Sequence, residues 1–227
     1  STVEPQGDFE IYASVSRTAN DGLNTVWATG DDLGVFHAVT DGTTYTKDGQ
    51  FKIDDVETGR FLGNVNGTLD PQEEYDWYAM YPFDSYVPGP KNVSKGYMTI
   101  GCSASATQTQ TGNNSLAHIA GKNYPLVGKA YAVPANTAPA LAMTHVATLL
   151  EFEVTNSLEE AITVSNIKFT APTPIVGTFY IDFAVTTVNG TDQTTYRVEV
   201  VALTPPVVAL YGRGGVCEVE AGVRTQI

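Results

Sequence analysis

Four adjacent acid pairs, Asp31-Asp32, Asp54-Asp55, Glu73-Glu74 and Glu159-Glu160, are the first residues whose type could do chemistry. Two carboxylates can divide acid and base roles at a glycosidic bond, or gather oxygens around calcium. No pair shows the alternating oxygen ligands of a calcium loop, and each stands beside turn-forming residues, where acids are simply solvated. His37, His118 and His145 are the only histidines, and none lies near another at zinc-site spacing. His145 opens an apolar run and reads as a structural histidine. No Gly-x-Ser-x-Gly elbow occurs. Cys102 and Cys217 are too far apart for a metal knuckle, which leaves two free buried thiols or one long-range disulfide. These residues predict no catalytic centre, no metal and no cofactor: the chain reads as a protein that is not an enzyme.

One group of side chains could bind rather than react. Tyr75, Trp77, Tyr78 and Tyr81 could stack on sugar rings, because flat aromatics bury sugar faces at low entropy cost. That makes a surface glycan-binding β-sandwich module the alternative reading. A strand this apolar is more often a core or interface strand.

The elements that would position such residues are strands. Aromatics at 10%, 21 glycines and 12 prolines beside only 16% charged residues favour short strands and turns over helices. A net charge of -13, without any Lys/Arg cluster, opposes nucleic acid. No stretch approaches the ~18 apolar residues that span a bilayer as a helix. The chain opens on Ser1 rather than Met, as a processed or constructed end would.

Phe9, Ile11, Ala13 and Val15 alternate with polar residues, which is the period of a first strand with one buried face. A turn-forming cluster, Arg17 to Gly22, follows and leaves Arg17 exposed. Strands are expected at Leu33 to Val39, Thr43 to Thr46 and Gln50 to Ile53, with a turn at Lys47-Asp48-Gly49. Phe61 to Leu69 reads as one strand thinned by glycine. Tyr75 to Tyr81 is the most aromatic strand, with Tyr75, Trp77, Ala79 and Tyr81 on one side. Ala140 to Thr155 is the longest candidate, and Ile162 to Phe169 pairs with it across Asn156-Ser157, with a bulge between Val164 and Ile167. Pro172 and Pro174 mark a joint. The organisation predicted is an N-terminal β-sandwich domain, residues 1–172, and a small C-terminal β domain, residues 173–227.

Val26-Trp27-Ala28-Thr29-Gly30-Asp31-Asp32-Leu33-Gly34-Val35-Phe36 resembles the tryptophan, glycine-aspartate signature near the start of fimbrillin-like proteins, subunits of cell-surface pili in Gram-negative anaerobes. Phe61 to Leu69, Tyr75 to Pro82, Thr144 to Val154 and Ile175 to Phe179 are similar to further segments of that family, in the same order. The resemblance implies an all-β chain whose first domain is an antiparallel, transthyretin-like β-sandwich. It also implies export to the outer membrane as a lipoprotein precursor, whose signal is absent from this chain, and a structural role in a fimbria. A surface maturation protease would cut after Arg17, before Thr18. The strand of Phe9, Ile11, Ala13 and Val15 would then be displaced by a strand of another pilus subunit. A host or bacterial surface ligand would be the partner in adhesion. Beyond Val176 the chain is shorter than the family's usual second domain, as expected of a short-domain variant, a tip or anchor subunit, or an incomplete chain.

Overall fold

The computed structural model describes residues 8–15, 26–42, 44–83, 99–103, 107–110, 117–119, 125–145, 153–164 and 166–170, and strand segments at 178–182, 185–188, 191–194, 197–200, 207–212, 217–219 and 224–226. The described chain is all-β apart from one short 3-10 turn, Ala117–Ile119. In order, the first strands are β1 (Phe9–Val15), β2 (Asp32–Val39), β3 (Tyr45–Asp55), β4 (Arg60–Gly63), β5 (Glu74–Tyr81), β6 (Thr99–Ser103), β7 (Thr107–Gln110), β8 (Leu126–Pro134) and β9 (Ala140–His145).

Seven of them form a closed ring in the order β1-β4-β3-β2-β5-β8-β9. Every pairing is antiparallel except the closing one, where β1 runs parallel to β9 with Tyr12 opposite Ala140 and Val15 opposite Met143. A mixed, closed barrel therefore stands where an antiparallel sandwich was expected. The difference lies in β1, which has a partner on each edge rather than lying at the margin of one sheet.

Period-2 alternation decides what fills the ring. Ile11, Ala13, Leu33, Val35, Phe51, Phe61, Tyr75, Trp77, Ala79, Leu126, Leu141 and Met143 point inward and form one buried cluster, with Trp27 laid against it. On β5, Tyr75, Trp77 and Ala79 are buried within it and Tyr81 packs against it, as the alternation predicts.

Two local expectations are corrected. Lys47-Asp48-Gly49 is a bulge inside β3: Val35 faces Gly49 and Phe36 faces Lys47, so Asp48 is the extra residue. Gly49 has φ of 99°, a conformation that serves a glycine bulge as readily as a turn. The strand expected over Phe61 to Leu69 ends at Gly63, although Val65 and Leu69 still pack against the core. Among the described residues, the strands within Ile162 to Phe169 pair with strands later in the chain. The second set of strands is β10 (Glu153–Thr155), β11 (Ile162–Val164), β12 (Asn166–Thr170), β13 (Thr178–Asp182), β14 (Val185–Val188), β15 (Thr191–Thr194), β16 (Arg197–Val200), β17 (Val207–Gly212), β18 (Cys217–Val219) and β19 (Arg224–Gln226). β11 pairs with β18, β12 with β17 and β10 with β19. The predicted boundary at 172/173 falls outside the described residues, as do 146–152 of the long strand expected from Ala140.

Candidate functional site

The residues assigned to a displaceable strand are drawn together by β1. Ile11 is 0% and Ala13 2% exposed, while Phe9 and Val15 pack partly buried against the same core. The Phe9 ring stacks on Trp77, with centroids 5.0 Å apart and planes at 21°, and meets Phe51 edge-on at 6.5 Å. The N-terminal half of β1, Phe9 to Tyr12, lies antiparallel to β4, and its C-terminal half, Tyr12 to Val15, lies parallel to β9. The strand changes its main pairing partner midway.

At the changeover a different set of groups takes over. The Ala13 N–H donates to the Gly59 carbonyl at 2.9 Å, and the Ala13 carbonyl accepts the Trp27 indole N–H at 2.6 Å. Trp27 is held edge-on by Phe61 at 5.0 Å and by Tyr81 at 5.5 Å. The Tyr81 hydroxyl donates to Asp31 Oδ1 at 2.9 Å, and Asp31 Oδ2 accepts the Ala28 N–H at 2.7 Å, which closes the turn after Trp27. Burial, with Asp31 beside it, pushes the Tyr81 hydroxyl well above the usual phenol range. Asp32 accepts the Gln50 side-chain amide and the Phe83 N–H, and burial raises its carboxyl despite those bonds. The pair Asp31-Asp32, expected to be only solvated, therefore ties β2, β3, β5 and Trp27 together.

Gly59 is the reason for the close approach. Its φ is 68°, and a Cβ there would collide with the Ala13 carbonyl oxygen and press on the Trp27 indole at 3.1 Å. On the outer face, Arg60 pairs with Asp54 and lies 3.8 Å from Glu10 of β1. Such exposed pairs contribute little.

The glycan platform is not formed. Trp77 is 1% exposed and, with Tyr75, lies inside the barrel; Tyr81 packs against that interior. Tyr78 points to the outer face, between Tyr45 and Tyr131 at 6.0 Å each, and is itself buried. Strand alternation puts the four on opposite faces, so no sugar could lie across them together.

A buried pair was invisible in the sequence. His37 Nδ1 lies 2.8 Å from the Asp48 carboxylate, whose other oxygen accepts the Asn66 N–H at 2.9 Å. The His37 ring packs against Tyr75 and Trp77 at 5.6 and 5.1 Å. Burial raises the Asp48 carboxyl, partly offset by the His37 and Asn66 bonds. The pair fastens the loop after β4 to the bulge of β3. Among the described residues no three His, Cys, Asp or Glu side chains converge to hold a metal ion. Arg17 and Thr18 lie outside the described residues.

No protein family and no curated protein matches the chain. Among solved structures it is similar to one described as a "putative cell adhesion protein" from Bacteroides ovatus. That likeness has a TM-score of 0.50 at 15% identity, over 99% of this chain and 77% of the other. At that identity the likeness shows a shared fold alone.

Proposed function

We propose that this chain is a structural subunit of a cell-surface fimbria or pilus, assembled by protease-triggered strand exchange and contributing to adhesion. The observation that carries the reading is the placement of β1. It is one stave of a closed ring, and its removal would uncover the facing edges of β4 and β9 and the apolar side chains beneath. An opened edge of that kind accepts an extended strand from another chain. The order of the fimbrillin-like segments and a fold shared with a protein described as adhesive support the same reading.

In this scheme the partners are other pilus subunits, a surface maturation protease acting between Arg17 and Thr18, and a host or bacterial surface ligand. The chain would reach the outer membrane as a lipoprotein precursor. Residues 1–172 and 173–227 would be its two domains, and it would not be an enzyme.

Burying Ile11, and most of Phe9 and Val15, stabilises the ring by roughly 1.5 to 3 kcal/mol for each side chain fully buried. Cleavage at Arg17 alone should therefore leave β1 in place until a replacement strand offers equal burial. Limited digestion with an Arg-specific protease should cut first at Arg17 and, on prolonged incubation, give a core that oligomerises. A chain that resists at Arg17 and stays monomeric would sink the proposal.

A further inference from the structure

We infer that Trp27 and Gly59 form a register clamp, which accepts in the β1 seat only an extended strand with a small residue and a free carbonyl where Ala13 now lies. The inference rests on the strand-exchange reading above and names what that seat selects: a strand of another subunit that copies the apolar-x-apolar-x-small-x-apolar order of Phe9 to Val15.

The clamp grips main chain on both sides of one residue. Gly59 supplies a carbonyl to the Ala13 N–H, and Trp27 supplies an N–H to the Ala13 carbonyl. The Gly59 backbone comes so close to that carbonyl that a Cβ cannot be fitted between them. Ala13 is itself buried in the core cluster, so there is no slack for a larger side chain. Sliding a strand by one residue would turn its apolar face outward. Sliding by two would bring Ile11 or Val15 to the clamped position, with branched bulk where alanine sits. The indole N–H, fixed by Phe61, Tyr81 and the Asp31 turn, therefore has one register to satisfy. The clamp and the residue it grips also fall on different sides of the proposed cut: Ala13 lies before Arg17, and Trp27 and Gly59 lie after it. Cleavage leaves the clamp on the retained portion, ready to grip an incoming strand.

The test uses the protein nicked at Arg17 and three fluorescein-labelled peptides spanning Asp8 to Ser16, with uptake followed by anisotropy. The native peptide and its Ser14→Val version, changed on the exposed face, should enter alike. The Ala13→Val peptide should need about tenfold more for the same uptake, since overpacking a filled core is penalised on that scale. Equal uptake of all three overturns the clamp while leaving strand exchange standing. If not even the native peptide enters, strand exchange fails, and the intact chain decides the clamp: Ala13→Val should lower the melting temperature and Ser14→Val should not. Equal melting temperatures overturn it.

Discussion

Replacing Ile11 by alanine measures directly how far β1 belongs to the core. Ile11 is 0% exposed, stands opposite Phe61 on β4, and packs among Phe51, Phe61 and Leu141 in the same cluster. The substitution removes a methyl and an ethyl group from a filled interior. Transfer of those carbons is worth about 0.8 kcal/mol per methylene-sized group, and the residual cavity adds to that, so the loss should be about 3 kcal/mol within a range of 2 to 5. For a chain of this size each kcal/mol lowers the melting temperature by roughly 2 to 4 °C, which gives a fall of about 6 to 12 °C. Urea unfolding should move to a lower midpoint with the slope unchanged, because the surface exposed on unfolding hardly differs. Ser14→Ala, on the exposed face of the same strand, is the control and should stay within about 0.5 kcal/mol. Should Ile11→Ala prove as mild as Ser14→Ala, β1 is not a stave of the barrel and the strand-exchange mechanism loses its basis.

Gly59→Ala should destabilise more than an ordinary turn substitution, because it combines a φ of 68° with a collision against the Ala13 carbonyl oxygen; hydrogen exchange should show the loss first in the Ala13 amide. Arg60→Ala should leave the melting temperature nearly unchanged, and any effect should shrink in high salt, since its pairs with Asp54 and Glu10 are exposed. Burial holds the Asp48 carboxyl above its ordinary value of 3.8, so the folded chain binds that proton more tightly than the unfolded chain. The resulting stabilisation is complete below the unfolded value and is lost as pH rises through the folded one. Asp48→Asn cannot titrate, so wild type should gain stability relative to it between about pH 7 and about pH 4. Thermal melts at the two pH values check the sign, and a wild-type-minus-variant difference that stays constant or falls toward acid refutes it.

Where burial follows local alternation, the sequence is legible. Phe9, Ile11, Ala13 and Val15, and Tyr75, Trp77, Ala79 and Tyr81, declare their faces because a strand turns each successive side chain to the opposite side. Phe61 to Leu69 misleads by the same rule: Val65 and Leu69 cover the core from a loop without ladder pairing, and burial alone does not distinguish the two cases. Lys47-Asp48-Gly49 was ambiguous because a positive-φ glycine serves turns and bulges alike, and only the pairing of Gly49 with Val35 resolves it. Neither the Trp27 bond to Ala13 nor the His37 pairing with Asp48 leaves a local trace, since each joins segments brought together by the ring. The closing pair of Tyr12 with Ala140 is the extreme case, because nothing in either neighbourhood names the other.

That closing pair also sets an order of events during synthesis. Tyr12 must wait for Ala140, 128 positions later, before the parallel side of its strand has a partner. At roughly 5 to 20 residues per second, the ribosome needs roughly 6 to 26 seconds to deliver it. Through that interval the nascent chain carries Phe9, Ile11 and Val15 with their eventual cover incomplete, and loop-closure entropy makes this contact among the most demanding to form. The first strand of the ring to be made is thus among the last to be enclosed. Until then the growing chain holds an unclosed edge that a holding factor, or another nascent chain, can occupy.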